Sequence, residues 1–350
     1  MTRQDIRTAT SKEALDTLTV PDIMTQSDSH CSMSKEALDT LTVPDIMTQS
    51  DARPATSNEA SDTLTVSDIM TQSDARPATS NEASDTPTVP DIMTRSDFHV
   101  HTCYCDGKDS PEDIVKEAVR LGMTRLGFSG HSYTAFDTIY CMSPDGTRSY
   151  MDEIHRLKDK YSGQIELLCG IERDYYSDID TGDFDYVIGS VHYVNVDGEF
   201  LPVDESLEAF MRLLRCCHDD PCDMAGRYYS LVADVVNKTG ADIIGHFDLI
   251  TKFNEGGRFF DEDSPGYIEA WKSAADSLLQ TGRPFEINTG AISRGWRKTP
   301  YPSAGIISYI ASRGGKFILS SDSHSKDTLM FQFAECEELA RNLGLRLTEL

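Results

Sequence analysis

Histidine and carboxylate residues recur at the ends of candidate strands in this sequence. The segment SDFHVHTCYCDG (residues 96–107) places His99 and His101 two residues apart, and Asp106 follows five residues after His101. Residues i and i+2 of a strand point to the same side, so the two histidines can bind one metal ion together. The segment SSDSH (residues 320–324) repeats this spacing with Asp322 and His324. These spacings predict a metal site.

Three further histidines and one glutamate stand at or just past the ends of other candidate strands. They are His131, Glu172, His192 and His246. Any one of these histidines alone would be read as an ordinary core residue. Together with the two segments above they make nine nitrogen and oxygen ligands without a thiolate, more than one catalytic ion needs. The number fits three ions with one carboxylate shared by two of them, and this ligand chemistry suits Zn, Fe or Mn. His155 and His218 have no such placement and are expected to be structural, and His30 belongs to the N-terminal repeats.

The elements that must position these residues alternate between strands and helices. Candidate strands cover residues 97–101, 125–131, 165–172, 184–192, 241–246, 284–288 and 316–324. Helical patterns cover residues 110–122, 147–161, 264–282 and 327–344, the first with Ser110 as N-cap and Pro111 at the first helical position. Such alternation predicts an α/β fold with parallel strands, whose carboxyl ends share one face. A (β/α) barrel is expected, with a doubly wound open sheet as the alternative.

The first 96 residues differ in composition from the remainder of the chain and are repetitive. The segment SKEALDTLTVPDIMTQSD begins at Ser11 and returns three more times, identically or in variant form, at a strict spacing of 23 residues. No Phe, Tyr or Trp precedes Phe98. We therefore expect residues 1–96 to be a largely disordered, low-complexity tail and residues 97–350 to be the catalytic domain. A small solenoid is the alternative for the repeats.

Composition limits the possible partners and the compartment. The formal net charge is −26, with a pI near 4.6, which disfavours nucleic acid and anionic membrane surfaces as partners. There is no apolar leader segment or long apolar run, so neither secretion nor a membrane span is expected. The nine cysteines are scattered and do not resemble a disulfide framework, which favours a reducing cytoplasm. Oligomeric state is not indicated.

Two other motifs suggest different chemistry but fit it poorly. DIDTG (residues 178–182) imitates the DxDx[TV] signature of haloacid-dehalogenase phosphatases, yet no apolar strand precedes it. It is expected to be a solvated turn. CHDDPC (residues 217–222) has no second ligand pair at zinc-finger spacing, so we expect it to bind no zinc.

Seven segments together resemble the PHP (polymerase and histidinol phosphatase) family. They are DFHVHT, GFSGHS, GIERDYY, DYVIGSVHY, IIGHFDLITKF, FEINTG and SSDSH, and the similarity spans residues 97 to about 345. Within the family they look like its monofunctional histidinol-phosphatases. The resemblance implies a distorted (β/α)7 TIM-like barrel with a trinuclear metal centre. It implies hydrolysis of a small phosphate ester, most specifically L-histidinol phosphate, with another PHP phosphoesterase substrate such as a nucleotide or sugar phosphate as the alternative.

The resemblance also assigns roles to residues of this chain. The first ion would be bound by His99, His101, Glu172 and Asp322, with Glu172 bridging to a second ion on His192 and His246. The third ion would be bound by Asp106, His131 and His324. Lys252 and Arg294, with Arg297 as a further candidate, would hold the substrate phosphate, so that Glu172, Asp322, Lys252 and Arg294 carry the catalysis. Asp248, two residues after His246, is expected to orient a ligand.

Three departures from the family pattern stand out. The 23-residue repeats have no counterpart, the stretch RCCHDDPCDMAGRYY (residues 215–229) replaces a more regular loop, and the last residues look short for the final strand. A different kind of function, a metal-binding or interaction module in which the repeats are the working part, is disfavoured because the ligand set is complete.

Overall fold

The computed structural model describes residues 95–350, and the predicted tail lies outside them except for its last two residues. The strands are β1 (Ser96–Asp97), β2 (Arg125–Phe128), β3 (Glu166–Asp174), β4 (Tyr186–Ser190), β5 (Tyr193–Val196), β6 (Glu199–Pro202), β7 (Ile243–Ile244), β8 (Phe285–Asn288), β9 (Lys316–Ser320) and β10 (Arg346–Leu347). All seven predicted strands are present, although several are shorter than predicted.

Eight of these strands form one parallel sheet in the order β1-β2-β3-β4-β7-β8-β9-β10. The chain beyond β1 then meets the chain beyond β9 in a parallel bridge between Val100 and Ser323. The N–H of His101 donates to the carbonyl of Ser323 at 2.8 Å, and the N–H of Ser323 donates to the carbonyl of His99 at 3.0 Å. These bonds close the sheet by joining the chain after β1 to the chain after β9. The predicted distorted (β/α)7 barrel is therefore confirmed, and the open sheet is wrong.

The floor of the barrel interior is filled by the side chain of Tyr186. Its hydroxyl donates to the carbonyl of Phe98 at 2.6 Å and to that of Phe128 at 3.0 Å, across the barrel from β4. A Cβ atom at Gly127 or at Gly170 would collide with this side chain. Glycine at these two positions therefore leaves room for the phenol ring inside the barrel.

The helices pack outside the strands. They are α1 (Pro111–Arg120), α2 (Pro144–Lys160), α3 (Leu207–Cys216), α4 (Pro221–Thr239), α5 (Pro265–Leu279), α6 (Gly290–Ser293), α7 (Ala304–Ser312) and α8 (Phe333–Leu343). The predicted start of α1 is confirmed, since Ser110 accepts a hydrogen bond from the N–H of Asp113 and Pro111 follows it. The predicted start of α8 near residue 327 is wrong. Met330 and Gln332 have φ angles of 53° and 54°, in the left-handed region, and delay the helix to Phe333.

Two features of the fold were not predicted. Strands β5 and β6 form an antiparallel hairpin directly after β4. The last residues, expected to be short for a final strand, nevertheless form β10, which pairs with β9 through Arg346 and Leu347. Among the described residues, the helices are all too short or too polar to cross a membrane.

Candidate metal centre

The nine predicted ligands converge at the carboxyl end of the barrel. Glu172 lies in β3, and the others follow strands: His99, His101 and Asp106 after β1, His131 after β2, His192 after β4, His246 after β7, and Asp322 and His324 after β9. Seven of the nine are buried, while Asp106 is exposed and His324 is half-buried. Parallel strands bring these residues together because all their carboxyl ends meet on one face.

Glu172 lies at the centre of the cluster, and its two oxygens face different histidines. From Oε1, the nearest ring nitrogens are 2.9 Å away on His246 and 3.3 Å away on His192. From Oε2, they are 2.9 Å away on His131, 3.2 Å away on His99 and 3.5 Å away on His101. The side chain therefore spans two separate groups of histidines, which is the geometry of a bridging carboxylate.

Asp322 and Asp106 extend the cluster toward solvent. Oδ1 of Asp322 lies 3.4 Å from Nε2 of His101 and 3.5 Å from Nδ1 of His324. Oδ2 of Asp106 lies 3.2 Å from Nε2 of His324, and its Oδ1 lies 3.7 Å from Nε2 of His131. Aspartates thus connect the histidines that Glu172 contacts to the outermost histidine of the site.

The donor atoms of the site fit metal ions. Nε2 of His99, Nε2 of His101 and Oε2 of Glu172 are buried and have no hydrogen-bond partner. Unpartnered buried polar atoms are costly, and a cation among them would satisfy all three. Within the described residues, three groups of ligand atoms are compact enough to hold an ion: His101 with Asp106, His131 and His324; His99 with His101 and Asp322; and His131 with Glu172 and His192.

The protonation states of two central residues suit metal binding. Burial alone would raise the pKa of Glu172, but the charges on His131, His99 and His192 outweigh burial and hold the pKa well below its usual range. Burial lowers the pKa of His101 to about 3, and the charges on His324 and His131 add to the effect. These directions favour an anionic Glu172 and a neutral His101, which are the forms that coordinate metal ions, whereas the carboxylates around His99, His131 and His192 outweigh burial and raise the pKa of each of these histidines.

Comparison with known proteins identifies the family. Residues 97–290 match the model of the PHP domain. The chain belongs to the PHP family. It is 30% identical over 234 residues to a probable histidinol-phosphatase of Schizosaccharomyces pombe, covering 61% of this chain and 74% of that protein. It is 29% identical over 266 residues to a probable histidinol-phosphatase of Deinococcus radiodurans, covering 71% of this chain and 93% of that protein.

A solved structure supports the same fold. The histidinol phosphate phosphatase of Lactococcus lactis, solved with zinc, L-histidinol and phosphate, superposes with a TM-score of 0.55. The two chains are 19% identical, and the match covers 72% of this chain and 94% of the other. The resemblance of the sequence to the PHP family is confirmed by the domain match, and the structural likeness supports the fold.

Two cations expected from the PHP resemblance line the same cleft as the ligands. The cleft has a volume of about 330 Å³, and both Lys252 and Arg294 face it. Nζ of Lys252 donates to the main-chain oxygen of Asp204 at 2.6 Å and lies 3.2 Å from its Oδ2. Nη2 of Arg294 lies 3.0 Å from Oδ2 of Asp322, and its Nη1 lies 2.9 Å from Nδ1 of His324. Arg294 therefore contacts two candidate ligands directly, whereas Lys252 contacts Asp204.

Arg297 and Asp248 are placed differently from the expectation. The guanidinium of Arg297 packs on the ring of Tyr301 at 5.2 Å and donates to Thr251 Oγ1, and it is not among the residues that line the cleft. Asp248 accepts a hydrogen bond at 2.9 Å from the N–H of Ser303, and no bond from His246 to Asp248 is present among the described residues. Both residues stabilise the loops around the site without contacting a ligand.

Two buried carboxylates next to the ligands were not anticipated. Oε1 of Glu286 lies 2.7 Å from Nδ1 of His99, and Oδ2 of Asp174 lies 3.2 Å from Nδ1 of His192. Asp174 could have been found from the sequence, because it stands two residues after Glu172 and so points to the same side of β3. Glu286 carried one signal, a charged residue inside the apolar strand FEIN.

The residues of the other motifs lie apart from the cluster. Asp178 of DIDTG is exposed, and its Oδ1 lies 3.6 Å from Nζ of Lys238. In CHDDPC, Cys217 is buried in the hydrophobic core, whereas Cys222 is exposed at the start of α4. His155 lies in α2 and His218 in the loop before α4, away from the cluster.

Proposed function

We propose that this PHP protein is a metal-dependent phosphomonoesterase that hydrolyses L-histidinol phosphate to L-histidinol and phosphate, as in histidine biosynthesis. The observation that carries the proposal is the position of Glu172, with each carboxylate oxygen facing its own group of histidines. The relatives that carry the name histidinol-phosphatase support the substrate. The Lactococcus protein, bound to zinc, L-histidinol and phosphate, supports both metal and substrate.

The proposed ligand sets are those that the resemblance implied. His99, His101, Glu172 and Asp322 would hold one ion, Glu172, His192 and His246 a second, and Asp106, His131 and His324 a third. The distances support the shared role of Glu172. They also bring His101 close to Asp106 and His131 close to Glu172, so these two histidines lie at the borders between the sets.

The cleft's own residues would bind and orient the phosphate. When bound, divalent ions supply Lewis acidity toward the phosphate and a nucleophilic hydroxide at neutral pH. Arg294, beside Asp322, and Lys252, beside Asp204, would offer cationic donors to the phosphate oxygens and offset the anionic charge that develops during displacement. Packing against Trp296, with Nζ 5.9 Å from the centre of the indole ring, limits the freedom of Lys252.

We further propose that residues 97–350 form the catalytic domain, with residues 1–96 as a separate tail. A cytoplasmic location is part of the proposal. It is supported by the eight cysteines of the described residues, all of which are free thiols.

A depletion and reconstitution experiment tests the proposed function. The purified full chain is stripped with a chelator, and phosphate release from L-histidinol phosphate is measured before and after addition of Zn, Mn or Fe. We expect activity to disappear and to return, with nucleotide and sugar phosphates hydrolysed more slowly. Rescue of a histidine auxotroph that lacks this phosphatase tests the substrate in cells. Full activity of metal-free protein, or a strong preference for another ester, contradicts the proposal.

A further inference from the structure

Glu286 lies beneath the metal centre and contacts two of its histidines at once. The side chain is fully buried in β8. Oε1 lies 2.7 Å from Nδ1 of His99. Oε2 accepts one hydrogen bond at 2.9 Å from the N–H of His246 and another at 3.0 Å from the side-chain amide of Asn288. The carboxylate thus has different partners on its two oxygens.

We propose that Glu286 is a positioning residue that fixes the tautomer of His99. An ionised carboxylate only accepts hydrogen bonds, so the nitrogen facing Oε1 must carry the proton. Nδ1 of His99 is that nitrogen, so the neutral ring that binds an ion has its lone pair on Nε2. Nε2 is the buried, unpartnered atom that lies 3.2 Å from Oε2 of Glu172. The ring is therefore held in the form and direction needed to bind an ion, so this inference rests on the proposed function.

The two hydrogen bonds to Oε2 make the tautomer of His99 sensitive to the replacement of one oxygen of Glu286 by an NH2 group. In Glu286→Gln, the side-chain oxygen must remain where the N–H of His246 and the amide of Asn288 donate. The new NH2 group then faces Nδ1 of His99, which must become an acceptor. The proton moves to Nε2 and points toward Oε2 of Glu172, into the space proposed for the ion. The substitution preserves size and shape but reverses the tautomer of the ligand.

Metal binding to the Glu286→Gln variant tests the inference. Metal content of the full-length protein is measured after dialysis against a chelator, and zinc affinity is measured by competition with a chromophoric chelator. We expect roughly 10- to 100-fold weaker binding of at least one ion and a lower kcat with KM nearly unchanged. Glu286→Asp, which keeps two acceptors, should recover part of the loss.

Glu262→Gln is the matched control. Glu262 is half-buried and accepts from the side-chain amide of Asn254 at 2.8 Å, much as Glu286 accepts from Asn288, but it does not line the cleft. Its replacement removes the same charge near the barrel and should leave metal content and kcat at the values of the unmodified protein. A loss equal to that of Glu286→Gln would assign the effect to charge alone and overturn the inference.

The outcomes separate this inference from the proposed function. If the unmodified protein binds no metal, the proposed function fails. If it binds metal and Glu286→Gln binds equally many ions with equal affinity, the tautomer inference fails and the function stands. If the Glu286 variants do not fold, NMR of the zinc-loaded unmodified protein with ¹⁵N-labelled histidine identifies the ring nitrogen of His99 that carries the proton. The signal that disappears in His99→Gln should show the proton on Nδ1, and a proton on Nε2 overturns the inference.

Discussion

Arg294 and Asp322 form an ion pair through one oxygen of the aspartate, Oδ2. Nη2 of Arg294 lies 3.0 Å from Oδ2, while Oδ1 lies 3.4 Å from Nε2 of His101. Burial alone would raise the pKa of Asp322, but the charges on Arg294 and His99 hold it well below its usual range. The guanidinium therefore keeps a proposed metal ligand ionised and turned toward the site.

Arg294→Ala should therefore impair both phosphate binding and the metal centre. We expect kcat/KM to fall by roughly ten- to a thousand-fold, because the phosphate loses a charge-assisted donor and Asp322 loses the guanidinium that pairs with it. Metal affinity should fall as well. Steady-state kinetics and metal analysis on the same preparation check this. The kcat/KM and metal affinity of Arg294→Lys should lie between those of the unmodified protein and Arg294→Ala, because lysine keeps the charge but not the paired donors. Unchanged metal affinity would limit Arg294 to the phosphate.

Lys252→Ala should lower activity without loss of metal. Lys252 faces the cleft but contacts Asp204 instead of a ligand, so its removal should lower kcat/KM by roughly ten- to a thousand-fold at constant metal content. Lys238→Ala is the matched control, since Lys238 also pairs with an aspartate, Asp178, but on the surface. Equal kinetics for the two variants would place phosphate recognition elsewhere.

Glu172→Gln should cost more activity than Asp106→Asn. Glu172 contacts histidines through both oxygens at the buried centre of the site, whereas Asp106 lies at its exposed rim. We expect at least about a 100-fold lower kcat for Glu172→Gln and loss of more than one ion by elemental analysis. A carboxylate that would itself bind the ions should matter more than a residue that acts on them through a ligand. A larger loss in Asp106→Asn would remove Glu172 from its bridging role.

Two glycine substitutions should change stability in opposite directions. A Cβ atom at Gly170 would collide with the ring of Tyr186, so Gly170→Ala should lower the free energy of unfolding by about 1–3 kcal/mol. Gly226 lies inside α4 with nothing within 4 Å of an added Cβ, so Gly226→Ala should raise it by about 0.5–1 kcal/mol. Urea denaturation of the metal-free proteins measures both values, and a neutral Gly170→Ala would show that the floor can repack.

Removal of residues 1–94 should leave the enzyme intact. All nine candidate ligands and every strand described above lie within residues 95–350, and the deleted segment has no aromatic residue to pack on them. We expect unchanged turnover and a nearly unchanged melting temperature. A truncated protein that misfolds or loses most of its activity would show that the repeats contribute to the catalytic domain.

The convergence of the nine candidate ligands on one face could be predicted because it depends on strand direction more than on the exact bounds of each strand. His101, Glu172 and His246 each follow or end an apolar run, and parallel strands bring such positions to one face wherever the strands begin. The residues converge even where the strand is shorter than predicted. The ladder of β1 covers only Ser96 and Asp97, yet the chain beyond it stays extended and bridges to Ser323.

The second layer of the site could not be predicted in the same way. Glu286 looks like an ordinary polar residue of a strand, and its role appears only when β8 lies beside β7 and across from His99. The pairing of Lys252 with Asp204 joins two loops 48 residues apart, a contact that no local spacing encodes. The position of the Tyr186 side chain could not be predicted either, because it depends on glycines in two other strands.

The phenol ring of Tyr186 also limits how the proposed enzyme can exchange small molecules. Its hydroxyl reaches from β4 to the carbonyls of Phe98 and Phe128, so the side chain occupies the interior of the barrel. The cleft that Lys252 and Arg294 line lies at the carboxyl end of the strands. We therefore expect the ester to enter and its products to leave through this same cleft, so that free phosphate would compete with the next ester molecule for it.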